Sequence, residues 1–460
     1  MSQAARSESA ASLPLPPGPR GWPVVGIVPE VSRIGTPEVL WKYFRRYGEV
    51  VSLPIAGRNM ILLSHPDHVR YVLNENRENY VKGVTYDSFR LLAGTGLVSS
   101  EGAFWKRQRK LAQPAFHHKQ IALLGQLIVT AANDMLKDWD RHGAGRFDLH
   151  EEMVKLTLRI VGEALFAQDL TTTTDASSRA FAVAITAVMD RGNSAFNIPL
   201  SVPTPGNLRL KAALKTLDGL VYAIIEKCRR DGKDNGTLLA MLLSAVDDET
   251  GEGMSDAQLR DEVITMFIAG HETTALALSW TWHLLAQNPA VLEKLEAELQ
   301  AVLGGRSPAM EDYPKLRYTR MVLDESMRVK SPVWTVARDV VADDAIGGFR
   351  IPAGSMVMLS QYVTHQRPDF WPEPTKFDPE RFTTENAAAQ HKYAYFPFSA
   401  GPRVCIGNMF SIVEGTLVLA AVCQRYRMAA IPGHVVVGDP QITYRPKGGL
   451  PMMRTPRPTA

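Results

Sequence analysis

Along most of this chain, apolar residues recur every three to four positions, the spacing that places them on one face of a helix. The segments with this pattern are Pro66–Asn74, Gly102–Gln113, Lys119–Arg141, Glu151–Ala167, Ser177–Asp190, Asn207–Arg230, Thr237–Val246, Asp256–Gln287, Pro289–Leu303, Tyr318–Lys330 and Ile406–Arg425. The longest of them, Asp256–Gln287, would be roughly 45 Å long at 1.5 Å per residue, enough to cross the molecule. The pattern therefore predicts a mainly helical protein.

Two short β-rich runs, VVSLPI and MILLS, lie on either side of Ala56-Gly-Arg-Asn59 and predict a hairpin from Val50. Further short strands are predicted near Val336–Val340, near Ser355–Ser360 and from Ala429 to the C-terminus. The small sheets thus belong to the two ends of the chain. No linker-like change of composition divides the middle. We therefore expect one large domain over residues 27–460, preceded by a polar and proline-rich lead-in over residues 1–26.

Composition narrows the class of protein. The chain has 460 residues, of which 45% are hydrophobic and 22% are charged, so fibrous and disordered proteins are excluded. A formal net charge of +3 gives no general attraction to nucleic acid. Three cysteines, Cys228, Cys405 and Cys423, cannot form a disulfide framework, which favours a reducing compartment. With no apolar run of about 20 residues, we expect a cytoplasmic protein without a membrane span.

A glycine- and proline-rich segment ends in a cysteine just before a helix: Phe398-Ser-Ala-Gly-Pro-Arg-Val-Cys-Ile-Gly407. On its own, Cys405 would be interpreted as a buried apolar residue. Its place before a helix favours a thiolate instead, because helix N-terminal N–H groups stabilise negative charge. Gly401 and Gly407 allow close approach to something flat, and Arg403 can bind an anionic group. No Cys or His lies at zinc spacing, so a haem iron suits this loop better than a structural metal.

A polar cluster, Ala269-Gly-His-Glu-Thr-Thr274, interrupts the apolar middle of Asp256–Gln287. Polar groups inside a buried helix are costly unless they are satisfied or used, and the apolar flanks argue against a solvated helix face. His271 and Glu272 begin the zinc-protease motif H-E-x-x-H, but Ala275 stands where the second zinc ligand would be. This excludes the zinc site and leaves a cluster available for other chemistry.

The loop around Cys405 resembles the haem-binding signature of the cytochrome P-450 monooxygenases at every defined position. Further motifs occur in the family's order and spacing, so the resemblance covers nearly the whole chain. It implies a triangular, mainly α fold with haem b (iron protoporphyrin IX) between the long central helix and the helix after the cysteine loop. It also implies Cys405 as the iron ligand, with Phe398, Gly401, Arg403 and Gly407 as cofactor contacts.

In the resembling family, the cluster of the long helix lies over the haem. Ala269 lines this site, and Gly270 and the Thr273 hydroxyl loosen the helix to make room for oxygen. Glu272 and Thr273 then help to deliver protons. The resemblance therefore implies these four residues as the catalytic ones.

Trp105-Lys-Arg-Gln-Arg109, taken alone, is typical of a basic surface helix. The resemblance places Trp105 and Arg109, which share a helix face, against the haem propionates. Arg338 matches another propionate contact. Together with Arg403, these residues would bring three arginines to two carboxylates.

Glu325 and Arg328 are three residues apart on one helix face, a spacing that by itself indicates an ordinary surface pair. The later segment Phe377-Asp-Pro-Glu-Arg-Phe382 resembles the family segment whose arginine, here Arg381, completes a buried triad. The implied role of Glu325, Arg328 and Arg381 is structural.

Family substrate pockets are lined by regions that match Tyr80–Gly102 and Ser331–Thr335, so Leu92 and Val333 are expected near the haem face with Ala269. Core packing is the alternative for Leu92 and Val333. The apolar stretch over residues 196–203 resembles a lid. An apolar pocket favours a fatty acid, a terpenoid or a steroid, and similarity to soluble bacterial fatty-acid hydroxylases favours the fatty acid.

The implied reaction inserts one oxygen atom of O2 into a C–H or C=C bond of the substrate. The chain is too short to include a reductase, so a ferredoxin or flavodoxin with an NAD(P)H reductase is implied. We expect this redox partner to dock near Lys106, Arg107 and Lys110. We also expect the protein to be a monomer. A peroxide-driven peroxygenase and a non-catalytic haem sensor or carrier stay open as alternatives, although Glu272 and Thr273 argue against both.

Overall fold

A computed structural model describes residues 10–169, 180, 183–188, 190, 191, 198–231 and 236–457. Its helices are α1 (Val28–Ile34), α2 (Thr36–Tyr47), α3 (Pro66–Arg70), α4 (Asp87–Ala93), α5 (Gly102–Ala112), α6 (His118–His142), α7 (Leu149–Phe166), α8 (Pro205–Asp231), α9 (Leu238–Ser244), α10 (Asp256–Gln287), α11 (Pro289–Leu303), α12 (Arg317–Val329), α13 (Gln361–Thr364), α14 (Thr384–Ala389) and α15 (Asn408–Arg425). Its strands are β1 (Val50–Ile55), β2 (Arg58–Leu63), β3 (Tyr80–Val81), β4 (Gly145–Asp148), β5 (Val336–Val340), β6 (Asp344–Ile346), β7 (Phe349–Ile351), β8 (Met356–Leu359), β9 (Tyr426–Ala430), β10 (Gly438–Pro440), β11 (Tyr444–Pro446) and β12 (Pro451–Pro456). The prediction of a mainly α protein with small sheets is confirmed.

The chain divides into two compact units that interleave along the sequence. The first unit takes the chain up to Thr85 together with Asp324–Cys405 and Gly438–Arg445. The second unit takes Tyr86–Leu323, Ile406–Val437 and the chain from Pro446 onwards. Neither unit is one continuous stretch of sequence, so each depends on contacts between segments that are far apart along the chain.

A five-stranded sheet in the order β1-β2-β8-β5-β3 organises the first unit. The β1–β2 hairpin turns at Ala56 and Gly57, both with positive φ, as the sequence predicted for this region. Strand β2 then pairs in parallel with β8, which is distant in sequence, while the other pairs are antiparallel. Alternate residues of these strands, such as Ile61, Val357 and Leu359, enter one apolar core.

Helix α10 forms the centre of the second unit and is buried on nearly every side, as a helix with apolar residues all around it should be. It begins with a capping box, in which the Ser255 hydroxyl accepts from the Gln258 amide and the Gln258 side chain accepts from the Ser255 amide. Helix α7 packs along it, and the Thr157 hydroxyl donates to the His271 carbonyl at 2.9 Å. A small antiparallel sheet, β4-β12-β9, completes this unit.

The bounds of α10, α11 and β5 agree with the prediction at both ends. Five helices were not predicted, α1, α2, α4, α13 and α14, and α4 lies in the region Tyr80–Gly102 that was expected to line the substrate pocket. Helices of seven residues such as α1 and α4 are too short to show a clear period. The helix predicted over residues 177–190 and the lid predicted over residues 196–203 lie partly outside the described residues. Within the described ranges, no helix combines the length and apolarity needed to cross a bilayer.

Candidate functional site

The cysteine loop belongs to the first unit and is closed by its own backbone. The Cys405 amide donates to the Phe398 carbonyl at 2.9 Å, and the Val404 amide donates to the Gly401 carbonyl at 3.1 Å. Gly401 has a φ of 67°, and a Cβ at this position would lie 2.1 Å from the Leu73 carbonyl oxygen. Only glycine can therefore occupy position 401, because both the backbone conformation and the close approach exclude a side chain.

The three thiols differ in accessibility. Cys405 is exposed, whereas Cys228 and Cys423 are buried. Burial also raises the pKa of the Cys423 thiol well above its ordinary value, which keeps it protonated. Of the three, Cys405 is the thiol with access to a ligand beyond the protein.

Two other predicted residues of the first unit lie on or near strand β5. Arg338 is almost completely buried, and its Nη1 donates to the Ala337 carbonyl at 2.8 Å. Val333, just before the strand, is half-buried and packs against the core that β2, β5 and β8 share. The core-packing alternative for Val333 therefore has direct support.

Glu325, Arg328 and Arg381 come together in the first unit. Arg328 donates from Nε and Nη2 to the two Glu325 oxygens at 2.6 and 2.8 Å, and both side chains are fully buried. The Asp378 amide donates to the same carboxylate at 2.9 Å, and the Arg381 Nε lies 3.5 Å from Glu325 Oε1. Burial raises the pKa of Glu325, while the Arg328 guanidinium and the Asp378 amide act in the opposite direction. Arg328 also donates to the His365 carbonyl at 2.7 Å, which ties α12 to the residue after α13.

The polar cluster lies in the middle of α10, in the second unit. Ala269 is exposed, Gly270 and Thr273 are half-buried, and Glu272 is 8% exposed. The Thr273 hydroxyl donates to the Ala269 carbonyl one turn earlier, at 2.8 Å. This face of α10 thus opens at Ala269 and carries a hydroxyl next to the opening.

Helix α10 continues without a break through Gly270, so the expected loosening of the helix is not seen. A Cβ on Gly270 would lie 2.8 Å from a methyl group of Val161 on α7. The glycine therefore allows close packing of α7 against α10 at this position. The sequence could not reveal this contact, because the partner position is more than 100 residues away.

Helix α5 carries Trp105, which is largely buried, and Arg109, which is half-buried. The positive charge expected beside them is partly neutralised. Arg107 donates to the Gly253 carbonyl at 3.0 Å, and the Lys110 ammonium lies 3.2 Å from Asp248. Lys106 is exposed. Helix α4 buries Leu92 almost completely, which supports the core-packing alternative for this residue as well.

Two acidic residues at the start of α10 were missed by sequence reasoning. Asp261 and Glu262 accept backbone amides from the loop that joins α4 to α5. The only sign of them in the sequence is a pair of carboxylates directly before the apolar run of the helix. Such a pair is also typical of an exposed first turn.

Comparison with known proteins identifies the family. The sequence profile of the family described as Cytochrome P450 matches residues 16–449. The chain belongs to the cytochrome P450 family. It is 36% identical over 414 residues to cyclooctatin synthase of Streptomyces melanosporofaciens, covering 89% of each chain. It is also 34% identical to cyclooctat-9-en-7-ol 5-monooxygenase of the same organism, covering 96% of this chain and 97% of that one.

Solved structures agree with this assignment. The cytochrome P450DA heme domain superposes with a TM-score of 0.89 at 27% identity, covering 97% of this chain and 99% of that one. The protein is therefore a haem-dependent monooxygenase, an oxidoreductase that uses O2, an organic substrate and electrons from a redox partner.

The residues present fit a haem. Among the thiols, the exposed Cys405 can bind iron, and a thiolate is one of the ligands that hold haem iron. A Cβ at Gly407 would meet only the Phe116 ring, at an ordinary 3.8 Å, so packing among the described residues does not require glycine there. A flat group packed against this backbone would require glycine at position 407. The buried Arg338 adds a cation of the kind that binds carboxylates.

Proposed function

We propose that Cys405 is the iron ligand of a haem b in this cytochrome P450. The exposed thiol at the end of a glycine-constrained loop supports this assignment. When bound, the haem supplies the oxidation of an unactivated C–H bond by O2. Phe398, Gly401, Arg403 and Gly407 form the cradle of the cofactor in this proposal. Trp105, Arg109 and Arg338 hold its propionates.

The test of this assignment is spectroscopic. Replacement of the thiol in Cys405→Ser should abolish the red-shifted band that a thiolate ligand gives in the reduced carbon monoxide complex. Cys423→Ser is the matched control, because it removes a buried thiol and should keep the band. A band that survives in Cys405→Ser would contradict the assignment.

We further propose that Thr273 and Glu272 deliver protons to the oxygen site, with Ala269 and Gly270 forming its wall. The support is local: a hydroxyl lies one turn after the exposed Ala269, and a largely buried carboxylate precedes it in the chain. Positioned proton transfer is commonly worth about 10²–10⁴-fold in rate.

Thr273→Ala should therefore keep haem content and substrate binding while it lowers the ratio of product formed to NADH oxidised. Hydrogen peroxide should appear in place of product. Thr281→Ala is the control, since the Thr281 hydroxyl makes the same kind of i−4 bond, to Ala277, at a fully buried position of the same helix. An unchanged product ratio in Thr273→Ala would remove Thr273 from proton delivery.

The substrate that we propose is a neutral terpenoid, an alkene or an alcohol, rather than a fatty acid. Two relatives at 34–36% identity carry names built on cyclooctatin and cyclooctat-9-en-7-ol. In addition, the only cation between residues 86 and 100 is Arg90, and it is bound to Asp87 and to the Ser99 carbonyl. This segment thus offers poor support for a fatty-acid carboxylate.

A binding screen that follows the haem absorbance should rank carbocyclic terpenoids above fatty acids of equal carbon number. The reverse ranking would return the fatty acid to first place.

For the electron donor we propose a ferredoxin or flavodoxin with its NAD(P)H reductase. Turnover with peroxide alone at the same rate would favour the peroxygenase.

A further inference from the structure

The loop between α4 and α5, residues 94–100, lies directly on the backbone of α10. A Cβ at Gly96 would be 2.1 Å from the Thr265 hydroxyl oxygen and 2.7 Å from the Asp261 carbonyl oxygen. A Cβ at Gly94 would be 2.2 Å from a carboxylate oxygen of Asp261. Both glycines therefore allow a contact between loop and helix that any side chain would prevent.

Two adjacent carboxylates hold this loop. The Thr95 amide donates to Asp261 Oδ2 at 2.7 Å, and the Thr95 hydroxyl donates to the same atom at 3.2 Å. The Leu97 amide donates to Glu262 Oε2 at 3.0 Å, and Glu262 is 1% exposed. Hydrogen bonds to a charged acceptor are stronger than those between neutral groups. The loop is thus fixed at one buried point and at one point close to the surface.

Asp261 also belongs to an ion pair that reaches helix α8. The Arg260 guanidinium donates to Asp261 Oδ1 at 2.8 Å and to Asp218 of α8 at 2.6 and 2.8 Å. The Asp261 side chain is 16% exposed and that of Asp218 is 40% exposed, so water can compete for both. One carboxylate therefore connects the loop, α10 and α8.

The loop covers the part of α10 that leads to its opening. At 100° per residue, Ala269 and Thr273 each lie within about 20° of Glu262 around the helix axis. Glu262 is covered by the loop, whereas Ala269, two turns later on the same face, is exposed. Release of the loop would extend this opening toward the start of α10.

We propose that Asp261 is a positioning residue that latches the loop over residues 94–100, and that release of this latch sets how fast bulky ligands reach the site. Small ligands need no extension of the opening, so the latch does not limit them. The ligand part of this proposal rests on the proposed function, because it requires a haem that ligands can reach. The attachment of the loop does not depend on it.

The decisive variant is Asp261→Asn, which keeps the shape of the side chain and removes its charge. Hydrogen exchange at the Thr95 amide should rise roughly tenfold, as expected when a charge-assisted bond becomes a neutral one. In stopped-flow mixing with the ferric protein, the binding rate of 4-phenylimidazole should rise by a similar factor. The binding rate of cyanide should stay the same.

Asp256→Asn is the matched control. Asp256 also joins α10 to α8, through an ion pair with Arg229, but it does not contact the loop. It should leave the binding rates of both ligands and the exchange rate of the Thr95 amide unchanged.

Gly96→Ala is a second route to release of the loop, since its methyl group would push the loop from Thr265 while every charge stays in place. This variant should raise the binding rate of 4-phenylimidazole and leave the binding rate of cyanide unchanged.

Unchanged 4-phenylimidazole rates in both Asp261→Asn and Gly96→Ala would overturn the latch. Equal acceleration of both ligands would also overturn it, because that pattern indicates general loosening. If neither ligand changes the absorbance of the wild-type protein, the proposed function fails instead. Exchange at the Thr95 amide then still decides whether Asp261 holds the loop.

Discussion

Two buried glutamates, one in each unit, show opposite solutions to the same electrostatic problem. Glu325 in the first unit accepts two bonds from Arg328 and one from the Asp378 amide. Glu414 on α15 in the second unit is equally buried, and neither of its oxygens has a hydrogen-bond partner within the described part of the chain. Burial raises the pKa of Glu414 well above its ordinary value and nothing opposes this shift, whereas the Arg328 guanidinium opposes the effect of burial on the pKa of Glu325.

This difference shows that burial alone does not tell what a carboxyl group does. At Glu325 a guanidinium lies beside the carboxylate and offsets part of the cost of its burial, and the group joins α12 to the segment around Asp378. Glu414 has no such partner, so the cost of desolvation is avoided by keeping the proton. Glu325 stabilises the fold through its attraction to Arg328. Glu414 lowers the stability of the fold at every pH at which its carboxyl group would ionise in the unfolded chain.

Glu325→Ala should have the largest effect, because it leaves Arg328 charged and fully buried. Loss of one member of a buried ion pair typically costs about 3–5 kcal/mol. The free energy of unfolding, measured with denaturant, should fall by this amount, and haem retention should fall with it. Glu293→Ala, at an exposed position of α11, is the control. A stable, haem-loaded Glu325→Ala protein would show that the triad is dispensable.

Glu414→Gln should instead stabilise the protein, and more so as pH rises. A carboxyl whose pKa is raised by folding binds a proton that the unfolded chain releases above its ordinary pKa, near 4.5. Stability therefore falls with rising pH by about 1.4 kcal/mol per unit until the folded group ionises, and glutamine does not share this loss.

Unfolding free energies at pH 5, 6.5 and 8 measure this prediction. The advantage of Glu414→Gln over the wild type should be smallest at pH 5 and largest at pH 8. Glu293→Gln, an exposed counterpart, should show no such trend. A constant difference across this range would mean that Glu414 is charged in the folded protein and has a partner.

Arg381→Ala should have the smallest effect of the three. Its Nε lies 3.5 Å from Glu325, and its Nη2 donates to the Glu373 carbonyl at 3.0 Å. Since Arg328 remains to neutralise Glu325, the loss should be about 1–2 kcal/mol. Arg381→Lys should restore part of it. A loss as large as that of Glu325→Ala would make all three residues equal partners.

The long helix and the hairpin could be predicted because periodicity and turn residues are local properties. Helix α10 has an N-cap serine and an apolar run that together fix its bounds, and Gly57 marks the turn between β1 and β2. The cysteine loop was also predictable, since its residues are contiguous. These parts of the fold required no knowledge of distant contacts.

The reason for a given glycine or carboxylate could not be predicted, because it depends on a partner far along the chain. Gly270 meets Val161, and Gly96 meets Thr265. Asp261 is only an acidic residue in the first turns of a helix until the loop containing Thr95 is placed on it. Leu92 and Val333 were given two interpretations, because an apolar residue lining a pocket and one inside a core look the same in sequence.

The parallel pairing of β2 with β8 has a consequence for synthesis on the ribosome. The β1–β2 hairpin emerges early, but the strand that completes its sheet follows only after all of Tyr86–Leu323 has been made. At 5–20 residues per second, synthesis of the chain from the end of β2 to β8 leaves the inner edge of β2 unpaired for roughly fifteen to sixty seconds. An apolar strand with a free edge is a site of aggregation. The nascent chain should therefore depend on chaperones most strongly before Met356–Leu359 appears.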